Sequence, residues 1–154
     1  MSTHKPIDRR IGYRLKVAQH ALHRRMEDAL RPLGMTPAQY AVLSALEEKP
    51  DQTNADLAEA AFITAQSMQG VLSKLEKADL VRREPDRHHG RRQLARITQS
   101  GRALVERGHR AVEPVERSLE QALAPLDLET ALNLMARLKD AMTDDKPANG
   151  DHAR

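Results

Sequence analysis

The chain has 154 residues, with 25 Lys and Arg against 22 Asp and Glu, seven His, no Cys, no Trp and three aromatic residues, Tyr13, Tyr40 and Phe62. That length suits one domain, with or without appendages, and lets roughly two-thirds of the unfolded surface be buried. The lack of Cys excludes disulfides, cysteine nucleophiles and Cys-ligated metal centres, and so few rings argue against the base-stacking sheets of single-strand binders.

Residues 1–6 and 143–154 lack apolar periodicity and are expected to be frayed tails. Residues 1–7 have no charged segment leading into an apolar run, so no secretion signal is read and a cytoplasmic location is expected. Ile11, Leu15, Ala18, Leu22, Ala29 and Leu33 recur at steps of three, four or seven. This predicts a first helix over about residues 8–30, ended by Gly34. Residues 32–46, the longest stretch without Asp, Glu, Lys or Arg, fall short of the ~18 apolar residues of a membrane span.

Thr36-Pro37 is a helix start: a hydroxyl to cap free amides, then proline where its missing N–H costs nothing. Tyr40, Leu43 and Leu46 follow on one face. Thr53 with Asp56 three residues on resembles a capping box, opening a short helix whose apolar positions are Leu57, Ala58, Ala61 and Phe62. Thr64 opens another, with Met68, Val71, Leu72 and Leu75 in one narrow stripe. Residues 80–83 and 91–97 then read as strands of a hairpin whose charged tip contains Pro85 and Gly90. Thr98 restarts a helix carrying Leu104, Ala111, Val115, Leu119 and Ala122, in which Pro114 is expected to introduce a kink. Asp127 caps a last helix with Leu128, Leu132, Leu138, Met135 and Met142 on one face.

The expected fold is therefore mainly α with a small β-hairpin wing. A winged helix-turn-helix over residues 35–99 is flanked by residues 1–34 and 100–142, whose helices carry more apolar stripe than the central unit can cover. Uncovered seams at both chain ends point to a homodimer built from those ends.

The charge distribution is more informative than the net charge of +3. Residues 64–98 hold eight basic and four acidic side chains, so this segment carries +4 and the rest of the chain −1. Such a field attracts polyanions, duplex DNA above all, although a solvated Arg-rich surface fits the charge alone equally well. The outward positions of the Thr64 helix are Gln66, Gly70, Ser73 and Lys77, flanked by Ser67, Gln69 and Lys74. These are hydrogen-bonding types suited to base edges and phosphates. Two short helices joined by a tight turn and followed by a basic hairpin form the layout that sets the second helix in a major groove.

The segment ITAQSMQGVLSKLEKADLVRREPDRHHGRRQLARITQSG (residues 63–101), preceded by LGMTPAQYAVLSAL, resembles the MarR family of bacterial transcriptional regulators. The resemblance implies a homodimeric repressor on a pseudo-palindromic operator, released by a small aromatic or anionic molecule. Carried over by position, Thr64, Gln66, Ser67, Gln69, Gly70, Ser73 and Lys74 would face the duplex, with Arg87, His89 and Arg91 contributed by the wing. Many members have an Asp two residues before the wing arginine that braces it. Here His89 stands in that place, in a histidine-glycine-arginine wing. The family's effector pocket would be lined by His20, His23, Met35 and Tyr40, although ordinary core packing is the more expected role for Met35 and Tyr40.

Three alternatives remain open at this level. His20 and His23, three apart on one helical face, would suit a metal-responsive regulator, but no third ligand can be assigned. A purely helical protein-interaction module would carry the charged hairpin as decoration. An enzyme is disfavoured, because there is no phosphate-binding glycine loop, no HExxH and no Ser-centred elbow. No cofactor and no resident metal are expected.

Overall fold

The computed structural model describes residues 4–143. Its helices are α1 (Ile11–Leu30), α2 (Pro37–Glu48), α3 (Asn54–Ala60), α4 (Ala65–Lys77), α5 (Gln99–Leu123) and α6 (Leu128–Thr143), and its strands are β1 (Val81–Pro85) and β2 (Gln93–Ile97). The expected mainly helical fold with a two-stranded wing is present, and β1 and β2 pair antiparallel from Val81 opposite Ile97 to Pro85 opposite Gln93. The chain divides into two compact units, one running to Val115 and the other starting at Glu116. The expected tail beyond residue 143 lies outside the described residues, as do residues 1–3.

The first unit is organised by locally encoded caps. Thr36 and Gln39 form a reciprocal capping box at the start of α2, Thr53 and Asp56 form another at α3, and Thr64 caps α4 by accepting from the Ser67 amide. Each satisfies amide groups that the first helical turn leaves without a carbonyl partner. Within the α3 box the Thr53 amide and hydroxyl hold the Asp56 carboxyl below its ordinary value. Leu30, Val42, Leu43, Leu46, Leu57, Met68, Leu72, Leu75, Val81 and Val105 are almost fully buried, so α2, α3, α4, the hairpin and the first half of α5 share one core.

Gln52 and Thr98 are among the residues that fasten this unit beyond apolar packing. The buried Gln52 donates its side-chain amide to the carbonyls of Ala45 (2.7 Å) and Lys49 (2.8 Å) at the end of α2. Its own backbone carbonyl accepts from Ala95 of β2 at 2.8 Å. Thr98 caps α5 by accepting from the Gly101 amide and donates its hydroxyl to the Asp79 carbonyl.

The structure departs from the sequence reading in four places. α1 starts at Ile11 because Arg10 is extended (φ −92°, ψ 125°), and a separate 3-10 turn covers Ile7–Arg9. β1 runs on to Pro85 and β2 begins only at Gln93, since Pro85 is accommodated on an edge and the Asp86 amide closes the tip onto the Arg92 carbonyl at 2.8 Å. Phe62 does not belong to the apolar face of α3. It adopts a left-handed φ of 56° in the turn before α4 and is 95% exposed.

The buried face of α5 also differs from the expected one. It consists of Gly101, Val105, Gly108, Val112 and Val115, whereas Leu119 is 42% exposed and Ala122 is exposed. A search for large apolar side chains overlooks glycine, yet both glycines are where other elements approach the α5 backbone. A Cβ on Gly108 would lie 2.7 Å from Met35 Cε and 2.9 Å from Tyr40 Cδ2. α5 continues as one helix through Pro114, which has no N–H to donate to the preceding turn.

Outside this core, the first ten residues of α1 are all exposed, including Ile11, Tyr13, Leu15 and Val17. In the second unit, α6 buries Ala131 and exposes Leu128, Leu132, Leu134, Met135 and Met142. Asp127 caps it as expected, accepting from the Thr130 amide at 2.9 Å, which holds the carboxyl below its ordinary value.

Candidate nucleic-acid interface

The stripe of Met68, Leu72 and Leu75 is buried in the core, and this orients the rest of α4. Thr64, Gln66, Ser67, Gln69, Gly70, Lys74 and Lys77 are consequently exposed, while Ser73 is half-buried. A Cβ on Gly70 would meet nothing within 4 Å, so the helix surface is open at that point. Asn54 of α3 donates its side-chain amide to the Ala65 carbonyl at 2.9 Å, which ties the start of α4 to the preceding helix.

Ion pairing decides which basic side chains of residues 64–98 carry free charge. Arg83 pairs with Glu76, Arg92 with Asp86, Arg96 with Asp51 and, at 3.8 Å, Arg82 with Asp79. Pairing with Arg83 holds the Glu76 carboxyl below its ordinary value, and Asp51 raises the Arg96 value. Among the described residues, that leaves Lys74, Lys77, Arg87 and Arg91 as exposed cations of this segment with no carboxylate partner. Arg91 borders a cleft of about 580 Å³ between the start of α3, α4 and the hairpin, together with Asn54, Gln69, Arg83 and Arg92.

The wing tip has a carboxylate brace, at a position other than the one the family resemblance implies. His89 occupies the position where a bracing Asp was sought, but the buried Asp86 supplies a carboxylate from the other side of the turn. It accepts from the His88 amide at 2.9 Å and pairs with Arg92 at 3.3 Å. The His88 amide, then the Arg92 charge, hold its carboxyl below the ordinary value of 3.8. A group whose folded value is lowered stabilises the fold above its unfolded value, and the contribution is lost as the pH falls through the folded one. Asp86→Ala is therefore expected to speed hydrogen exchange of the His88 amide by about an order of magnitude at neutral pH. Acidification below the ordinary carboxylate range should produce the same loosening in the unsubstituted chain. Equal exchange rates in the two proteins at neutral pH would mean that Asp86 does not order the tip.

The four residues considered for an effector site are distributed over several places. His20 and His23 are exposed on α1, with His23 3.3 Å from Glu27, and His23 borders a cleft of about 360 Å³ against α2 and Phe62. Met35 is buried and lines a different cleft with Glu27 and Pro37. Tyr40 meets α5 instead. Its hydroxyl hydrogen-bonds His109 Nδ1 at 2.9 Å, and the other ring nitrogen, Nε2, hydrogen-bonds the Glu47 carboxylate at 2.8 Å, so one imidazole links the phenol to the carboxylate. The Tyr40 and His109 rings are edge to face, 5.5 Å apart. His109 and Glu47 escaped the sequence reading, and the available signal was Gly108, a helix-interior glycine beside a histidine. No group of three or more His, Cys, Asp or Glu placed to hold a metal occurs among the described residues. No helix among them is long and apolar enough to cross a membrane.

Comparison with known proteins agrees with this architecture. A family model described as MarR family matches residues 33–92. The HTH-type transcriptional repressor Rv2887 of Mycobacterium tuberculosis is 36% identical over 123 residues, covering 79% of this chain and 88% of the relative. Among solved structures, the transcriptional repressor CouR bound to a 23-mer DNA duplex superposes with a TM-score of 0.78 at 26% identity, covering 90% of this chain and 99% of CouR. The Mycobacterium tuberculosis MarR family protein Rv2887 in complex with salicylic acid gives a TM-score of 0.65 at 30% identity, covering 92% and 99%. These relatives are transcriptional regulators and not enzymes. With the helix-turn-helix, the wing and the flanking helices all in the expected order, the chain belongs to the MarR family of transcriptional regulators.

Proposed function

We propose that the chain is a homodimeric, cytoplasmic repressor that binds a pseudo-palindromic duplex and releases it on binding a small aromatic or anionic molecule. The observation carrying this reading is the hydrogen-bonding outer face of α4 beside four exposed cations without carboxylate partners. In this reading α4 enters the major groove, where Gln66, Ser67 and Gln69 read base edges, Gly70 lets a backbone come close, and Thr64, Ser73 and Lys74 contact phosphate or sugar. Arg87, His89 and Arg91 of the wing reach the adjacent backbone or minor groove. Residues 35–99 are the DNA-binding part and residues 1–34 and 100–142 the dimerisation part, the exposed apolar side chains of α1 and α6 being what a partner protomer would cover. CouR bound to duplex DNA supports the first half of the reading, and Rv2887 complexed with salicylic acid supports the second. The ligand site is assigned to the region of Met35 and Tyr40, with His20 and His23 as candidates for a wall contributed by α1.

The test is fluorescence anisotropy on the duplex upstream of the chain's own coding sequence. The unsubstituted protein should bind as a dimer, and a panel of aromatic carboxylates and phenols should contain a member that releases it. Gln66→Ala should cost about 1 to 3 kcal/mol of discrimination at one symmetric pair of base positions. A monomer that ignores duplexes at low ionic strength would overturn the reading.

A further inference from the structure

Gln69 and Glu76 lie seven residues apart on α4, two helical turns along the same face, and Arg83 of β1 reaches both. The guanidinium donates to Glu76 Oε2 from Nε at 3.0 Å and from Nη2 at 2.6 Å. Its remaining terminal nitrogen, Nη1, donates to Gln69 Oε1 at 3.2 Å. A guanidinium has only donors, so the atom of Gln69 facing it must be the oxygen, whichever way the amide is drawn. The Arg83 side chain is only 19% exposed, packed between helix and strand with its charge matched by Glu76. It is thus a fixed fixture, whereas Gln69 is exposed, and among the described residues the Gln69 NH2 donates to nothing.

Duplex chemistry turns this geometry into a choice of partner. A free glutamine reads adenine by donating to N7 and accepting from the N6 amino group, which requires both ends of the amide. The guanidinium occupies one of the two lone pairs of that oxygen and holds the amide in one orientation, so the unpartnered NH2 is the larger part of what Gln69 offers a ligand. We propose that Arg83 is a positioning residue that presents Gln69 to the duplex chiefly through its NH2 donor, so that Gln69 favours an acceptor-only group, the guanine N7 and O6 edge or a phosphate oxygen, over adenine. This rests on the DNA-binding reading above. It separates the two exposed glutamines of α4 by role: Gln66, with no such partner among the described residues, is free to turn either end of its amide to adenine, whereas Gln69 is biased towards acceptors.

Selection from randomised duplexes, followed by affinity measurement on the selected sites, tests the assignment with variants of the exposed Gln69 and the half-buried Arg83, both outside the apolar core. If the acceptor is guanine, the unsubstituted protein selects guanine at a symmetric pair of positions, and Gln69→Leu and Gln69→Glu both lose that preference, the carboxylate pairing with Arg83 but offering no donor. If the acceptor is phosphate, both variants weaken binding to every sequence equally, and a methylphosphonate at one backbone position removes the difference. In either case Arg83→Met, which frees the amide, should weaken the Gln69 contact about tenfold, while Arg83→Lys, still a donor, should retain it. Thermal midpoints of the Arg83 variants, together with their unchanged Gln66-dependent preference, separate loss of positioning from loss of fold. An adenine preference that depends on Gln69 would overturn the proposal. So would binding unaffected by either Gln69 substitution, or identical behaviour of Arg83→Met and the unsubstituted chain. If the unsubstituted protein binds no duplex, it is the DNA-binding reading itself that fails.

Discussion

Gly101→Ala is expected to cost about 3 kcal/mol of stability, at the upper end of the usual range for overpacking, and to lower the thermal midpoint by roughly 10 °C. A Cβ there would fall inside the van der Waals shell of the Leu80 carbonyl oxygen and 2.7 Å from Ile97 Cγ1. A flexible side chain can swing aside, but a backbone carbonyl cannot. This one also accepts from the Thr98 amide at 3.1 Å, so displacing it strains the junction where β1, β2 and α5 meet. Gly70→Ala is the contrasting case. With nothing within 4 Å of the added carbon, it should stabilise α4 by up to about 1 kcal/mol while weakening duplex affinity, if a backbone does approach there. Calorimetry on the two variants checks both signs, and a Gly101→Ala midpoint equal to the parent's would contradict the packing described here.

The second large effect is electrostatic. Neutralising several phosphates releases counterions, so duplex affinity should fall by roughly a thousandfold between 50 and 200 mM salt. Arg91→Ala should weaken binding to all sequences alike and make the log-log salt dependence shallower by about one unit per protomer. Arg92→Ala provides the comparison. Arg92 already pairs with Asp86, so its removal should leave the salt dependence closer to that of the parent while loosening the wing tip. Identical salt slopes for Arg91→Ala and the parent would remove Arg91 from the contact surface.

What the sequence disclosed and what it withheld divide by distance along the chain. The boxes at Thr36 and Thr53 and the caps at Thr64, Thr98 and Asp127 each involve residues about three apart, so residue type and spacing suffice to find them. The stripe of α4 was legible for the same reason, since one helix carries the whole pattern. The Tyr40–His109 and His109–Glu47 bonds span 69 and 62 residues, and the Arg83–Gln69 bond spans 14 across a helix and a strand. No local pattern announces them. Phe62 was misread because an aromatic residue at helical spacing resembles core, although the backbone had already turned left-handed. The face of α5 was misread because its defining residues include two glycines, which contribute by leaving room for a neighbour.

Gln52 carries a consequence for how motion passes through the fold. One residue stops α2 with its side chain and holds Ala95 of β2 with its main chain, so the helix bearing Tyr40 and the strand leading out of the wing share a single rivet. A push that slides α2 along its axis therefore tugs the base of the hairpin directly, with no slack loop to absorb the stroke.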